Sequence, residues 1–201
     1  MTTYPKRVLV LFAHPALQRS RVNRRLAAAA QELPGVTFHD LYEAYPTMIV
    51  DVAREQALLL DHDVIVMQHP FYWYSSPALI KEWMDHVLTH GWAYGERGTA
   101  LRDKALMLAI TTGGPRAAYQ AGGRNRFAIR ALLAPQDQTA HLCGMHFLAP
   151  FVVHGAMALS PAQVDEAASQ YARVLRALRD DHLPLSAATS ADYISEVLTH
   201  E

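Results

Sequence analysis

Short apolar runs alternate along this chain with longer segments of helical periodicity. Four of the runs are unbroken, as is typical of strands buried on both faces of a sheet, and the second run alternates. The predicted strands cover residues 7–13, 36–41, 64–68, 105–110 and 147–154. The predicted helices cover residues 20–33, 51–61, 78–88, about 125–133, and 161–179. Strands that alternate with helices predict an α/β fold with a doubly wound parallel sheet.

The order of these elements predicts one particular sheet. Right-handed crossovers favour a five-stranded sheet with strand order 2-1-3-4-5, which is the flavodoxin-like arrangement. We expect a single domain over residues 1–183, followed by a C-terminal extension over residues 184–201. The extension is polar and rich in small residues. It is therefore predicted to be loosely attached, with a short helix near residues 191–198.

Composition and charge exclude several classes of protein. A formal net charge of −1 and the lack of a long basic run argue against a nucleic-acid partner. No apolar run approaches the ~20 residues that a membrane-spanning helix needs. The single cysteine, Cys143, excludes an internal disulfide and is predicted to be a core residue in a reducing compartment. These features together predict a cytoplasmic protein.

A candidate anion site follows the first strand. The loop that begins at His14 leads into the first helix, where free backbone N–H groups and the helix dipole attract negative charge. The side chains of Ser20 and Asn23 could add a hydroxyl and an amide, and Arg19 or Arg21 could add a positive charge, with Val22 beside them. Neither a Walker loop nor a Gly-x-Gly-x-x-Gly fingerprint is present, so a single phosphate is expected. The alternative is that Ser20 only caps the helix and that His14 only ends the strand.

An aromatic loop follows the third strand. Four consecutive aromatic residues, Phe71, Tyr72, Trp73 and Tyr74, follow Pro70 at the edge where open α/β sheets bind ligands. The alternatives are a hydrophobic plug or a dimer interface, since Trp and Tyr are enriched in interfaces. We favour contact with a flat aromatic ligand.

A glycine-containing loop follows the fourth strand. Thr111, Thr112, Gly113 and Gly114 offer N–H donors and let the backbone approach a planar ring closely, although a tight turn would also use glycine. The three loops should meet at one sheet edge. One phosphate joined to one planar heteroaromatic ring describes flavin mononucleotide (FMN), with FAD as the alternative. No metal site is expected, since the histidines lack ligand spacing.

With these loops in view, the chain resembles the flavodoxin-like NAD(P)H:quinone oxidoreductase family. Within that family it is most similar to the ancillary subunits of bacterial glutathione-regulated potassium-efflux systems. The most specific matching segment is His-Gly-Trp-Ala-Tyr-Gly at residues 90–95. The other matching segments are residues 13–15, 20–23, 41–42, 45–46, 68–70, 73–75, 98–101, 111–114 and 150–151, together with His154.

The resemblance implies a two-electron, ping-pong hydride transfer from NADH or NADPH through the flavin to a quinone. It places flavin contacts on the three loops and implies Tyr119 as a catalytic residue. The histidine that accompanies this tyrosine in the family is expected near Arg124 and Asn125, and it is missing there. The resemblance also implies a homodimer and a potassium-efflux antiporter as partner, with a peripheral position on the inner membrane.

Two other functions compete with the quinone reductase. One is a regulatory subunit of the efflux system that binds flavin without turnover. The other is an azo- or nitroreductase, which shares the first half-reaction and uses a different acceptor. A metal hydrolase is disfavoured, because no His-Glu-x-x-His spacing occurs.

Overall fold

The computed structural model describes residues 5–198, and its centre is one parallel sheet. The strands are β1 (Val8–Phe12), β2 (Val36–Asp40), β3 (Val64–Pro70), β4 (Ala105–Thr111), β5 (His146–Phe147) and β6 (Phe151–Val153). Their order is β2-β1-β3-β4-β5, and β6 also pairs with β4. The predicted flavodoxin-like topology is therefore confirmed, with a sixth strand in addition.

The predicted fifth strand is divided in two, and the reason is an inserted residue. Ala105 and Leu106 pair with β5, and Ala109 to Thr111 pair with β6. Between them, two residues of β4 face three residues of the other chain segment, which is the count of a β-bulge. Pro150 lies in that insertion and has no N–H to donate. Apolar character continues across the bulge, so the sequence pattern did not reveal it.

The helices cover both faces of the sheet. They are α1 (Val22–Gln31), α2 (Leu41–Ala44), α3 (Val52–Leu60), α4 (Ala78–Val87), α5 (Ile129–Leu132), α6 (Ala134–Leu142), α7 (Pro161–Arg179) and α8 (Leu185–Ser190). Within residues 5–198, none of them combines the length and the apolar character that a membrane crossing requires.

Two of the helix predictions need correction. The helix expected at about 125–133 covers only Ile129–Leu132, because residues 123–127 form turns and Arg126 has a φ of 66°. The chain then continues directly into α6, which was not predicted. The sequence of α6 is largely polar and has Pro135 in its first turn, a position where helices accept proline. The four-residue helix α2 was also not predicted.

The C-terminal extension is packed against the domain. Ala188 is 1% exposed and Ile194 is fully buried. The amide of Ala149 donates to the carbonyl of Ala188 at 2.6 Å, and the amide of Ile194 donates to Pro150 at 3.0 Å. The bulge before β6 is therefore bonded to this segment twice, as donor at Ala149 and as acceptor at Pro150. The predicted loose attachment is wrong, and the short helix predicted near 191–198 is a 3-10 turn at Ile194–Glu196. The division at residue 183 stays a prediction.

A buried carboxylate cluster holds α3 against α4 and β2. Glu55 is fully buried. It accepts hydrogen bonds from Trp83 Nε1 at 2.8 Å, from the Tyr45 hydroxyl at 2.5 Å and from His39 Nε2 at 2.8 Å. Burial raises the pKa of Glu55, but these three donors outweigh burial and leave the pKa below its usual value. The cluster is therefore built around a carboxylate that stays charged.

Acid should weaken the fold through His69, near the end of β3. Its side chain is 2% exposed, and Nδ1 donates to the carbonyl of Pro70 at 3.0 Å. Burial lowers the pKa of His69 to about 4, below the 6.5 of an unfolded chain. As the pH falls, His69 is protonated in the unfolded state before it is protonated in the folded state. Its contribution to the free energy of unfolding is therefore fully present above pH 6.5 and is lost as the pH falls toward 4. We expect this histidine to account for about 3 kcal/mol of that loss.

Urea unfolding between pH 7 and pH 4.5 measures this effect. The control variant is H69N, in which the asparagine amide can still donate to Pro70 but does not titrate. H69N should lose less stability per pH unit than the wild type, by up to about 1.4 kcal/mol. Parallel curves for the two proteins would contradict the assignment.

Candidate functional site

The loops after β1, β3 and β4 enclose one cleft of about 630 Å³. The volume lies in the range usual for cofactor pockets. Ten of the thirteen residues predicted to bind a cofactor line it: His14, Ser20, Arg21, Val22, Asn23, Phe71, Tyr72, Thr111, Thr112 and Gly113. The other lining residues are Ala16, Arg19, Pro70, Ala156 and Met157, of which Arg19 was expected as an alternative source of positive charge. The last two follow β6, whose carboxyl end lies at the same edge, and its position is the signal that could have found them.

The start of α1 forms one end of the cleft. The Ser20 hydroxyl accepts a hydrogen bond from the amide of Asn23 at 3.2 Å, so Ser20 does cap the helix. Arg21 donates to the carbonyl of Leu159 at 2.8 Å, which holds its guanidinium beside this end. A helix start with a hydroxyl and two arginines, Arg19 and Arg21, attracts anions. Capping and anion binding are therefore compatible here.

His14 is buried at the end of β1. Its Nδ1 accepts a hydrogen bond from the amide of Ala16 at 3.1 Å, so the neutral ring carries its proton on Nε2. Burial lowers the pKa of His14. The ring also lies edge-on to Tyr72, with centroids 6.4 Å apart. His14 thus offers the cleft one neutral donor and no charge.

Asn23 joins the first loop to the third. Its side-chain amide donates to the Thr111 hydroxyl at 2.9 Å, in a buried position. Its Oδ1 is buried and has no partner among residues 5–198. One hydrogen of the side-chain amide is therefore already used within the protein. Only the second hydrogen of this amide is left to donate to a phosphate from the side chain. Its observed contact fixes the distance between two walls of the cleft.

The aromatic loop divides between the cleft and the surface. Phe71 is 9% exposed and packs beneath the site, whereas Trp73 is 91% exposed. Trp73 and Tyr74 have φ values of 50° and 61°, which is a costly conformation for non-glycine residues. The two left-handed residues turn the loop outward, so Trp73 and Tyr74 do not line the cleft of the single chain. Their assignment to the cofactor stays a prediction.

The third loop presents bare backbone to the cleft. A Cβ on Gly113 would have no heavy atom within 4 Å. Within residues 5–198, the amides of Gly113 and Gly114 have no backbone acceptor. A Cβ on Gly114 would lie 3.3 Å from Cε2 of Tyr119, so Gly114 lies against that ring and does not line the cleft. The turn therefore supplies a flat surface with unused donors.

Tyr119 has a histidine neighbour that its own loop does not supply. The family's histidine is expected near positions 124 and 125, which are arginine and asparagine in this chain. The ring of His154 lies 5.3 Å from the ring of Tyr119, centroid to centroid. His154 follows β6, far along the chain from Tyr119, so local sequence reasoning did not pair the two residues. Tyr119 itself is 8% exposed, and its ring also lies 6.4 Å from the ring of Phe71.

The cleft fits a flavin mononucleotide. A helix start with a hydroxyl and two guanidinium groups suits one phosphate. At the other end, the glycine backbone opposite Phe71 and Tyr72 leaves space for a planar ring, and the unused amides can donate to ring oxygens. The residues present therefore match both halves of such a ligand.

Comparison with known proteins places the chain in a family. A family model described as "Flavodoxin-like fold" matches residues 6–178. The chain belongs to the flavodoxin-like family. The match ends before α8, so the packed C-terminal segment lies outside the part that this family shares.

One similar protein and two similar solved structures carry descriptions of function. The potassium-efflux ancillary protein KefG of Serratia proteamaculans is 48% identical over 86% of this chain and 94% of its own length. The structure of general stress protein 14 from Treponema denticola, in complex with FMN, is 38% identical, with a TM-score of 0.81 and coverage of 86% and 99%. A structure described as NADPH-quinone reductase from P. pentosaceus is 35% identical, with a TM-score of 0.76 and coverage of 83% and 96%.

Proposed function

We propose that this chain is an FMN-dependent NAD(P)H oxidoreductase whose acceptor is a quinone. The observation that carries the proposal is the cleft of about 630 Å³, which is lined both by an anion-attracting helix start and by the bare backbone of Gly113. The FMN complex of general stress protein 14 and the name of the NADPH-quinone reductase support it. FMN is preferred to FAD, because the cleft offers one phosphate position.

The chain's own residues have separate roles in this proposal. The start of α1, the Ser20 hydroxyl and Arg21 hold the phosphate. Phe71, Tyr72 and the Gly113 backbone hold the ring and exclude water from its buried face. FMN, when bound, supplies the hydride acceptor and donor, which lets NAD(P)H and then a quinone react in turn at one position. Binding both substrates at the same open face supplies the orientation that hydride transfer needs.

Tyr119 is the proposed catalytic residue. Its hydroxyl lies 3.7 Å from the Cβ position of Gly114, next to the Gly113 backbone that lines the cleft, although Tyr119 itself does not line it. From there it could donate a hydrogen bond to a ring bound against this backbone. A hydrogen bond to a group that gains negative charge is stronger than a neutral one, so this donation favours the reduced cofactor.

Anaerobic stopped-flow spectroscopy of the FMN-loaded protein tests the function. NADH or NADPH should bleach the flavin band near ~450 nm, and a quinone added afterwards should restore it. Saturation by each substrate, with parallel double-reciprocal lines, would support alternation of the two. Bound flavin that neither nucleotide reduces would sink the enzyme and favour the binding-only regulatory subunit. A larger rate with an azo dye or a nitroarene than with any quinone would contradict the quinone as acceptor and favour an azo- or nitroreductase.

A second role rests on the relationship to KefG, which covers nearly all of that protein. We propose that the chain also docks on the cytoplasmic face of a potassium-efflux antiporter. Potassium efflux from cells that carry the antiporter should rise when this chain is co-expressed. An equal efflux without the chain would contradict the docking.

The proposed homodimer would explain the exposed aromatic loop. Trp73 is 91% exposed, Phe127 is 53% exposed, and the Tyr74 hydroxyl bonds to Asn125 between them at 3.3 Å. Large apolar side chains on one surface favour association. A second subunit would cover Trp73 beside the cleft, which is how Trp73 could still contact the cofactor. A monomer mass in light scattering would rule this out.

A further inference from the structure

We propose that the C-terminal segment is a working part of the flavin site: Tyr193 holds His154, and His154 is the positioning residue that fixes the Thr111–Gly114 turn and the Tyr119 ring. The inference rests on the proposed function for its catalytic consequence. Its structural part depends only on contacts within this chain.

A directed chain of hydrogen bonds links the segment to the turn. The Tyr193 hydroxyl lies 3.1 Å from Nε2 of His154, and Nδ1 of His154 lies 3.1 Å from the hydroxyl of Thr112. The Thr112 hydroxyl donates onward to the carbonyl of Gly114 at 2.9 Å. Because that hydroxyl uses its only hydrogen on Gly114, it must accept from His154 Nδ1–H. His154 Nε2 must then accept from Tyr193.

One protonation state satisfies every member of this chain. It is the neutral imidazole with its proton on Nδ1. A second proton on Nε2 would remove the acceptor for the Tyr193 hydroxyl. Burial and the nearby Arg116 lower the pKa of His154 to about 4, so the neutral form dominates at physiological pH. The Gly114 carbonyl also accepts from the amide of Gly155 at 2.9 Å, which ties the turn to the strand end that carries His154.

The segment is itself held in place from both sides. The Arg116 guanidinium lies over the Tyr193 ring, 4.2 Å from its centroid, and pairs with Glu196 at 2.6 Å. Ile194 is fully buried next to Tyr193. Arg116 starts the 3-10 turn that ends just before Tyr119. The segment therefore contacts the site at two places. Tyr193 bonds to His154, and Tyr193 and Glu196 contact Arg116 in the turn that precedes Tyr119.

The consequence for the site follows from these contacts. His154 packs against Tyr119, which in turn packs against Gly114, so one ring supports both the donor and the backbone wall. Loss of the Tyr193 hydroxyl frees the imidazole to rotate, which weakens the hydrogen bond from His154 Nδ1 to Thr112 in the turn. The expected result is poorer orientation of the ring-facing groups, with little change in the phosphate end.

The first test uses the flavin-free protein and reads amide hydrogen exchange. Y193F removes only the hydroxyl. Y171F is the matched control, because the Tyr171 hydroxyl is fully buried and has no partner among residues 5–198. The hydrogen-bonded amides among residues 111–126 should exchange about tenfold faster in Y193F and at the wild-type rate in Y171F. Wild-type exchange in Y193F would overturn the proposal, whether or not the protein is an enzyme.

The second test uses the FMN-loaded protein and a double-mutant cycle with H154N. The asparagine amide can still donate to Thr112, but the side chain is too short to place an acceptor where Nε2 meets Tyr193. Y193F should slow flavin reduction by NAD(P)H about tenfold and change the FMN dissociation constant less than about threefold. Y193F added to H154N should cause no further loss, because Tyr193 acts through His154. Independent, multiplying effects would overturn the coupling, and a wild type that no nucleotide reduces would instead overturn the proposed function.

Discussion

Replacing Ser20 by aspartate should weaken FMN binding about 100-fold, or about 2.7 kcal/mol, and leave riboflavin binding unchanged. Aspartate caps a helix as well as serine does, so the start of α1 should keep its hydrogen bond to Asn23 and its stability. Its negative charge would face the phosphate that FMN carries and riboflavin lacks. Repulsion at about 4 Å is large enough for this effect even when solvent screens part of it.

Fluorescence titration of both flavins into the apo protein measures this difference. S20N is the control variant, since asparagine is an equally good cap and has no charge. It should bind FMN within about threefold of the wild type, because one neutral group replaces another. Equal losses of FMN and riboflavin in S20D would place the phosphate elsewhere and the damage in the ring site. Unchanged FMN binding would contradict the phosphate position.

Replacing Glu55 by leucine should lower the free energy of unfolding by about 4 kcal/mol. Three buried donors, from His39, Tyr45 and Trp83, would lose the acceptor that they share. Each unsatisfied buried group costs about 1–3 kcal/mol, and leucine's apolar contacts return part of that. The Glu55 carboxylate thus stabilises the fold by accepting hydrogen bonds from three buried donors.

Urea unfolding at pH 7 measures the loss, with two comparison variants. E55Q keeps the shape and one acceptor oxygen, so it should cost less, about 2 kcal/mol. E82Q removes the charge of an exposed glutamate that pairs with His86 on the surface of α4, and it should change stability by less than about 0.5 kcal/mol. A loss below about 1 kcal/mol in E55L would show that the cluster contributes little.

The sheet and its loops could be predicted because buried parallel strands leave a strong local signal. Unbroken apolar runs located β1, β3 and β4, and the rule that ligands bind at the carboxyl edge then located the cleft. Ten predicted residues line it for this reason. The aromatic loop was predicted by composition alone, which says nothing about φ. Trp73 and Tyr74 turn outward through left-handed conformations that no residue preference favours.

What escaped prediction depends on contacts between distant parts of the chain. The bulge at Pro150 is stabilised by hydrogen bonds from residues near 188 and 194, so neither segment shows it alone. The same holds for the contact between His154 and Tyr119, which arrive on different elements. The extension looked loosely attached because it is rich in polar and small residues. Burial of Ala188 and Ile194, together with the backbone hydrogen bonds to Ala149 and Pro150, attaches it to the domain.

A crystal structure of the protein grown with FMN tests the central claim most directly. We expect the phosphate at the start of α1, between Ser20 and Asn23, and the ring between Tyr72 and the Gly113 backbone. Density for FMN at any other place, or a cleft closed by the protein's own side chains with FMN in excess, would contradict the account.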